Sequence, residues 1–350
     1  MKESLFFHQM SPKVLLNFIQ KMTGNIYIKV CQKIFGAILG ILVLTQIIIA
    51  QTGWELIRLG GSGDLVSVYF TSSEQGWVGG DSGYLAMTSD AGRNWNRQIL
   101  NTTESVNEIY FRNDENGYVL AGHRIYLTKN GGKVWRENAV VSAKDYKGLK
   151  PEFLSIRFTD KKRGWIVGSL SNQKDEVVDS LILQTIDGGE SWARVPISYK
   201  EELFHLDFVS NSEGWIVGDK GLILSTNDGG ISWIRQPTGA LVSLYNVDFR
   251  DSKTGIVVGG RGTILRTENG GATWEKVQAS ETRSLLRVNF LDDKAAWIVG
   301  NGGTILRTDD KGKSWIRQDS KTTESLYGLF IDKKGGWAVG KKGMVLRYAK

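Results

Sequence analysis

Two aspartates have the residue type and the spacing that acid–base chemistry requires. Asp207 and Asp248 lie 41 residues apart, at the same place in two copies of a repeated unit. Paired carboxyl groups could act as general acid and base on a glycosidic bond. Arg157 and Arg287, in other copies of the unit, could hold an anionic sugar through charge-assisted hydrogen bonds. The alternative, which we favour, is a hydrated channel whose charged side chains pair with one another.

Histidine and cysteine offer little to a metal ion or a cofactor. The chain has three histidines and one cysteine, Cys31. His123 and His205 are far apart and lack the spacing of a metal site, and a lone cysteine forms no disulfide within the chain. We therefore expect no metal and no cofactor.

A repeat with a period near 41 residues positions the candidate side chains. Its clearest copies are GWIVGDKGLILSTNDGGISW (214–233) and GIVVGGRGTILRTENGGATW (255–274). Each copy ends in a turn motif, Thr-x-Asp/Asn-x-Gly-x-x-Trp. The acidic or amide residue should bond to the turn backbone, the glycine should adopt a positive φ, and the tryptophan should pack over the turn. We interpret this motif as structural, and its characteristic residues are Asp90, Asn130, Asp187, Asp228, Asn269, Asp310, Trp95, Trp135, Trp192, Trp233, Trp274 and Trp315.

The two ends of the repeat array are halves of one unit. Trp54 lies 41 residues before Trp95 without a turn motif ahead of it, whereas the last unit stops at Lys350 before its tryptophan. The N-terminal strand should therefore complete the C-terminal unit. A period of this length with four strands is typical of a propeller blade. The sequence thus predicts an all-β, seven-bladed β-propeller of four-stranded antiparallel blades over residues 51–350.

The hydrophobic pattern differs among the strands of a unit. The second and third strands are apolar throughout, as expected for strands buried on both faces. The first strand alternates, with Val66 and Phe204 on the apolar side. In the fourth unit the predicted strands are 203–208, 214–218, 222–226 and 232–236. The side chains expected to face a central channel are Ser67, Tyr69, Glu108, Tyr110, Ser155, Arg157, His205, Asp207, Asn246, Asp248, Arg287, Asn289 and Tyr327.

The turn motif resembles the Asp-box, or bacterial neuraminidase repeat. The fuller unit, GWxVGxxGxILxTxDGGxxW, resembles the photosystem II stability/assembly factor family over about 54–350. That resemblance implies an extracytoplasmic, seven-bladed propeller that helps to assemble a membrane reaction centre. It also implies a basic surface for partner binding, although no single family arginine is matched here. Resemblance to sialidases would instead imply six blades and an early Arg-Ile-Pro stretch, which this sequence lacks.

The first 50 residues are predicted to be an export signal. Residues 34–50 are almost wholly apolar and follow Lys21, Lys29 and Lys33, the layout of a secretory signal. Cleavage is expected after Ala50 and translation near Met22; an uncleaved membrane anchor is the alternative. The net charge is +7, and the first 50 residues hold five Lys and one Glu. The mild basic excess of the remainder gives no case for nucleic acid.

Two charged insertions enlarge the third unit. Lys144, Lys147 and Lys150 lie in the connection that enters it, and Asp175 and Glu176 lie between its second and third strands. Because successive strands alternate in direction, both insertions should emerge on one face, and loops on a rigid scaffold often bind partners. Alternatively, they pair only with each other. Further predicted binding residues are Arg124, Lys220, Arg261, Lys341 and Lys342 on this face, and a basic arc of Arg266, Arg307 and Arg347.

These features predict a periplasmic, lumenal or secreted scaffold rather than an enzyme. We expect a monomer that binds a protein partner, with assembly or stability of a membrane complex as the preferred role. The alternative function is a glycan-binding propeller or a sialidase-like glycoside hydrolase. The two differ at the channel, because an enzyme needs free carboxyl groups in a pocket and a scaffold needs only a surface.

Overall fold

The computed structural model describes residues 53–60, 63–138, 146–333 and 335–349. Over these ranges the chain forms seven four-stranded sheets, each antiparallel and each made of neighbours in sequence except at the ring closure. The seven-bladed β-propeller is therefore confirmed. Within the same ranges no helix has the length and apolar character needed to cross a membrane. The predicted signal at 1–50 and the predicted binding residue Lys144 lie outside the described residues.

The sheets are called blades and are numbered in chain order. Blade 1 contains β2 (Leu65–Phe70), β3 (Gly76–Gly80), β4 (Tyr84–Thr88) and β5 (Asn96–Gln98), and blade 2 contains β6 (Val106–Phe111), β7 (Gly117–Ala121), β8 (Arg124–Thr128) and β9 (Arg136–Asn138). Blade 3 contains β10 (Lys150–Phe158), β11 (Gly164–Ser171), β12 (Val177–Thr185) and β13 (Ala193–Arg194), and blade 4 contains β14 (Leu203–Phe208), β15 (Gly214–Gly218), β16 (Ile223–Thr226) and β17 (Ile234–Arg235). Blade 5 contains β18 (Leu244–Phe249), β19 (Gly255–Gly259), β20 (Ile264–Thr267) and β21 (Glu275–Lys276), and blade 6 contains β22 (Leu285–Phe290), β23 (Ala296–Gly300), β24 (Thr304–Thr308) and β25 (Ile316–Arg317). Blade 7 contains β26 (Leu326–Asp332), β27 (Gly335–Gly340), β28 (Met344–Ala349) and β1 (Gly53–Arg58). Short 3₁₀ turns join second and third strands at Asp81–Gly83, Asp219–Gly221, Gly260–Gly262, Asn301–Gly303 and Lys341–Gly343.

The ring closes as the sequence predicts. β1 pairs with β28, with Trp54 opposite Tyr348 in the register. Trp54 is 5% exposed and meets Trp297 of blade 6 edge-on, with 5.5 Å between ring centroids. The first described residues are thus locked to the last ones by backbone pairing and by a shared apolar core.

Aromatic stacks between neighbouring blades form much of the core. Trp215, in the second strand of blade 4, stacks on Phe249 in the first strand of blade 5, with ring centroids 3.5 Å apart. Trp274 of the turn motif contacts the same Phe249 edge-on at 5.8 Å. Phe249 also lies across Gly255, where a Cβ would come within 2.5 Å of the ring. The repeated glycine at the start of the second strand therefore makes room for this stack. Equivalent pairs are Trp77–Phe111 and Trp337–Phe70.

A β-bulge near the start of every first strand corrects the predicted alternation. The pairing register skips one residue between Leu65 and Ser67, and likewise between Leu203 and His205. Leu65 and Leu203 are fully buried, whereas Val66 and Phe204, predicted on the apolar side, line a pocket at the channel mouth. A bulge adds one residue and so shifts the two-residue period. The bulged residues, here called the mouth ring, are Val66, Asn107, Leu154, Phe204, Tyr245, Leu286 and Tyr327.

The insertion in blade 3 is mostly strand, not the long loop that the sequence predicted. β11 and β12 pair from Gly164 opposite Thr185 out to Ser171 opposite Val177. The hairpin therefore projects beyond the other blades, and residues 173–177 at its tip are exposed. Conversely, the fourth strand of blade 4 is only Ile234–Arg235 rather than 232–236, because the preceding residues belong to the turn.

Candidate functional site

The central channel encloses a cavity of about 270 Å³ lined by first-strand side chains. Two predicted residues do not line it: Ser155 is fully buried, and Tyr327 lies at the channel mouth. Sequence reasoning missed the apolar contribution of Phe330 from blade 7. The predicted residues that do line the cavity are Ser67, Tyr69, Glu108, Tyr110, Arg157, His205, Asp207, Asn246, Asp248, Arg287 and Asn289.

The two aspartates hold the backbone of the next blade. Oδ2 of Asp207 accepts a hydrogen bond from the backbone N–H of Phe249 at 2.8 Å. Oδ2 of Asp248 accepts one from the backbone N–H of Phe290 at 2.6 Å. Each first strand is the inner edge of its sheet, so part of its backbone lacks a partner strand and needs another hydrogen-bond partner. The carboxyl groups meet that need, which is a structural role.

The same kind of hydrogen bond to the next blade is formed two residues earlier in the first strand, closer to the channel mouth. Ser67 accepts from the N–H of Ile109 at 2.9 Å, Glu108 from Ile156 at 2.6 Å, and Asn246 from Val288 at 3.0 Å. Polar side chains of the channel therefore link blade 1 to blade 2, blade 2 to blade 3, blade 4 to blade 5 and blade 5 to blade 6. This signal is readable in the sequence as polar residues recurring at one repeat position.

Arg157 organises the charges on the blade 2 to blade 4 side of the channel. Its Nη1 donates to Oε1 of Glu108 at 2.7 Å, and its Nη2 lies 2.8 Å from Nε2 of His205. Burial first, and the Arg157 charge second, hold the pKa of His205 well below its ordinary value. The imidazole is therefore neutral at physiological pH. The favoured expectation, charges pairing within the channel, is met at this cluster.

Burial in the channel raises the pKa of both Asp207 and Asp248. The neighbouring Asp207 raises the pKa of Asp248 further, so the pair retains a proton near neutral pH. A protonated carboxyl beside an ionised one is also the charge state of a glycosidase. Here, however, both groups are engaged with backbone N–H groups.

The turn motif has the hydrogen bonds that its residue types predict. In blade 4, Oγ1 of Thr226 donates to Oδ1 of Asp228 at 2.7 Å and accepts from the N–H of Gly230 at 2.8 Å. Oδ1 of Asp228 accepts from the N–H of Ser232 at 3.0 Å, and Gly230 has a φ of 81°. The side-chain hydrogen bond from Ser232 is the main reason that the pKa of Asp228 falls to about 2. These contacts hold the turn together.

The two insertions of blade 3 touch each other. Nζ of Lys150 lies 2.8 Å from Oδ1 of Asp175, and Nε2 of Gln173 donates to the carbonyl of Gly148 at 3.0 Å. The pairing that the sequence left open is therefore present at one residue pair. Lys147 is exposed outside it. Glu176 is also exposed and accepts from Nδ2 of Asn172 within the hairpin tip.

Basic residues lie at the 3₁₀ turns of blades 4, 5 and 7, on the same face as the hairpin. Lys220, Arg261 and Lys342 are exposed and adopt positive φ angles of 53°, 56° and 59°. Nζ of Lys342 lies 2.7 Å from Glu324, and that of the exposed Lys341 lies 3.8 Å from the same carboxylate. Arg124 pairs with Glu137 at 2.5 Å. The face is therefore basic in part and neutralised in part.

The predicted arc of three arginines is not one exposed surface. Arg266 is 3% exposed, donates to the carbonyl of Lys311 and pairs with Glu268. Arg307 pairs with Asp309 at 2.7 Å. Arg347 is half-buried and lies opposite Glu55 in the β1–β28 register. All three lie on third strands near the turn-motif end, away from the 3₁₀ turns, and burial removes Arg266 from the accessible basic residues.

Fold and channel together define the class of protein: a ring-closed, seven-bladed β-propeller whose polar channel side chains join the blades. The chain belongs to the family described as photosynthesis system II assembly factor YCF48, whose model matches residues 47–144, 97–201, 145–239, 236–317 and 276–349. The resemblance drawn from the repeat is thereby confirmed.

Individual relatives match over a shorter stretch or at lower identity. Photosystem II stability/assembly factor HCF136 of Oryza sativa subsp. japonica and that of Arabidopsis thaliana are each 33% identical over 109 residues, which is 30% of this chain and 24% of theirs. The chain thus matches about a quarter of the length of these curated relatives.

Solved structures share the fold. The structure described as YCF48 bound to D1 peptide has a TM-score of 0.70 at 19% identity, covering 85% of this chain and 97% of that one. YCF48 from Cyanidioschyzon merolae has a TM-score of 0.66 at 19% identity, over 85% and 98%. A virginiamycin B lyase from Staphylococcus aureus has a TM-score of 0.68 at 10% identity, over 85% and 99%. At these identities the likeness concerns the fold alone.

Proposed function

We propose that this chain is a non-catalytic, extracytoplasmic scaffold that binds a protein partner as a monomer, in the assembly or stabilisation of a membrane complex. Membership of the assembly-factor family supports the role, and the peptide-bound YCF48 structure supports a protein ligand. The apolar run 34–50 after three lysines supports export. The acid–base groups of the channel already hold backbone N–H groups, which argues against catalysis there.

One observation carries the location of the binding surface. Lys220, Arg261 and Lys342 occupy left-handed backbone positions in three 3₁₀ turns, where the corresponding turn of blade 6 has Gly302. The left-handed region costs an ordinary L-residue about 1–2 kcal/mol, and such strain tends to collect at functional positions. Basic side chains kept at a strained position, on the face from which the hairpin of blade 3 projects, support this face as the docking surface.

This geometry allows a variant that removes charge without harming the fold. The triple variant Lys220→Gly, Arg261→Gly and Lys342→Gly should melt no lower than the parent, because glycine relieves the left-handed strain. It should lose the partner that the parent captures from solubilised membranes, identified by crosslinking and mass spectrometry. Ser82→Gly, with a φ of 55° in the blade 1 turn, changes the same backbone without changing charge and should retain the partner.

Shortening the blade 3 hairpin tests the same face independently. Replacing 172–177 by the turn Asp219–Gly221 of blade 4 should preserve folding, because residues 173–177 are exposed and exposed hairpin ends tolerate shortening. Capture of the same partner should be lost. Undiminished capture by both this variant and the triple variant would exclude this face as the docking surface.

A further inference from the structure

The channel mouth holds a second cavity, distinct from the polar one below it. This mouth pocket has a volume of about 330 Å³ and is lined by all seven bulged residues of the mouth ring. Its size falls within the range of small-molecule sites, about 300–1,000 Å³. The bulges create it, because each turns one side chain out of the blade interior towards the axis of the ring.

The lining is unusually apolar for a surface that faces water. Six of the seven ring residues are aliphatic or aromatic, and only Asn107 is not. Phe204 and Tyr245 form a tilted pair with centroids 5.4 Å apart. Ring closure needs none of this apolar surface, since the residues that pack between blades, such as Leu65 and Leu203, are fully buried elsewhere. A concave apolar surface of this kind is typical of a ligand site.

Arg287 forms the floor between the mouth pocket and the polar channel, since it lines both cavities. Its repeat position is that of Ser67, Glu108 and Asn246, whose oxygens accept an N–H from the next blade. Arginine has no acceptor, so Arg287 cannot serve that purpose, and the next blade has Gly328 at this position. In blades 6 and 7, therefore, the side chain at this repeat position does not accept a hydrogen bond from the next blade.

Hydrogen-bonding capacity remains at this guanidinium. Among the described residues its one hydrogen bond goes to the carbonyl of Leu286 at 3.1 Å, and no carboxylate there lies within ion-pair distance of it. Burial lowers the pKa of Arg287, which reflects a cation without full compensation. A half-buried charge of this kind is stabilised by a ligand of opposite charge.

Two carboxylates also line the mouth pocket, on its blade 1 side. Asp64 accepts the backbone N–H of Lys342 at 3.0 Å, and Asp81 accepts that of Asp64 at 3.0 Å. These bonds tie both groups to the surrounding turns. A cationic ligand would have to compete with them, whereas an anionic ligand would meet the unused donors of Arg287.

We propose that the mouth pocket binds a carboxylate carried on an apolar body, with Arg287 holding the carboxylate and the mouth ring contacting the body. This site goes beyond the proposed scaffold function. The same chemistry is offered by a free organic acid and by the C-terminus of a polypeptide that ends in an apolar residue.

The test compares three probes of one shape by titration calorimetry on the full chain. 4-Phenylbutyrate should bind, 4-phenylbutyramide should bind at least tenfold more weakly, and 4-phenylbutylamine should not bind. Equal affinity for acid and amide, or preference for the amine, would overturn the proposal. This comparison needs no variant and so does not depend on whether a mutant folds.

Variants assign the contacts. Arg287→Gln and Phe204→Ala should each weaken binding of 4-phenylbutyrate at least tenfold, and Arg287→Lys should weaken it less than Arg287→Gln. Arg235→Gln removes the same charge from the exposed outer strand of blade 4 and should leave affinity unchanged. Unchanged affinity in a folded Arg287→Gln protein would refute the role of Arg287.

A peptide arm distinguishes the two sources. A pentapeptide ending in Phe with a free carboxylate is compared with its C-terminal amide and with 4-phenylbutyrate. Affinity of the free-acid peptide at least tenfold above that of 4-phenylbutyrate identifies a polypeptide C-terminus as the ligand. Equal or weaker binding identifies a free organic acid.

Discussion

Removing the side chain that closes the ring should be more damaging than removing a tryptophan from a turn. Trp54 is 5% exposed and contacts Trp297 and Tyr348, with ring centroids 5.5 Å and 5.3 Å away. A buried tryptophan removes about 150–250 Å² from water, which at about 25 cal/mol per Å² corresponds to about 4–6 kcal/mol as an upper estimate. Large-to-small core changes of this type cost about 3–5 kcal/mol. We expect Trp54→Ala to lower the free energy of unfolding by about 4 kcal/mol.

The more specific measurement is which blade of the ring loses its amide protection in Trp54→Ala. β1 contributes six paired residues to β28, so loosening it should expose the β28 amides to solvent. Hydrogen exchange monitored by mass spectrometry should show faster exchange in β28 and β27 than in blades 3 and 4. Trp95→Ala, which removes the half-buried tryptophan of the blade 1 turn, serves as the control and should cost less. Equal losses in the two variants, with β28 still protected, would refute the closure argument.

For substitutions at three further positions, the structure predicts whether stability rises or falls. Burial and the neighbouring carboxyl of Asp207 raise the pKa of Asp248. The folded state therefore binds the carboxyl proton more tightly than the unfolded state, and stability falls as pH rises above the unfolded pKa of about 4. Asp248→Asn should melt higher than the parent at pH 9, and its melting temperature should fall less between pH 5 and pH 9. Hydrogen bonds lower the pKa of Asp228 to about 2, so the stabilising contribution of its carboxylate is present above about pH 4 and is lost towards pH 2. Asp228→Asn keeps an oxygen acceptor but not the charge, so it should melt slightly lower than the parent at pH 7 and show a smaller loss between about pH 4 and pH 2. Asp228→Ala should lower the free energy of unfolding by about 1 kcal/mol. Gly230→Ala combines a φ of 81° with a Cβ 2.4 Å from Nε1 of Trp165 and should lower the free energy of unfolding by about 2–3 kcal/mol. Gly239→Ala, with a φ of 66° and no atom within 4 Å of the added Cβ, should lower it by only about 1 kcal/mol. Equal melting temperatures for the two glycine variants would show that crowding against Trp165 does not destabilise the fold.

The repeat explains why so much of the fold was predictable. Thr226, Asp228 and Gly230 interact within five residues of one another, so their types alone define the turn. The period then counts the blades, and the half-unit at Trp54 gives the closure. Local chemistry repeated six times is a strong signal because each copy supports the others.

The candidate sites were less predictable because they depend on where repeats differ. The polar residues of the channel were located from alternation, but their hydrogen bonds to the next blade became visible only when adjacent blades were placed side by side. Arg266 has the sequence context of Arg307, yet it is buried against Lys311 and Glu268. Contacts between copies decide such outcomes, and a single unit does not contain them.

The sequence by itself determined the all-β propeller, its seven blades, the turn motif and the strand that closes the ring, because each follows from short-range residue types and a fixed period. Only the tertiary structure decided which first-strand residues face the channel mouth. A bulge in each inner strand turns Val66 and Phe204 to the mouth and leaves Leu65 and Leu203 in the core. An inner edge strand can bulge because one side of it lacks a partner strand. No residue pattern within the strand predicts the bulge. The mouth pocket follows from this one displacement.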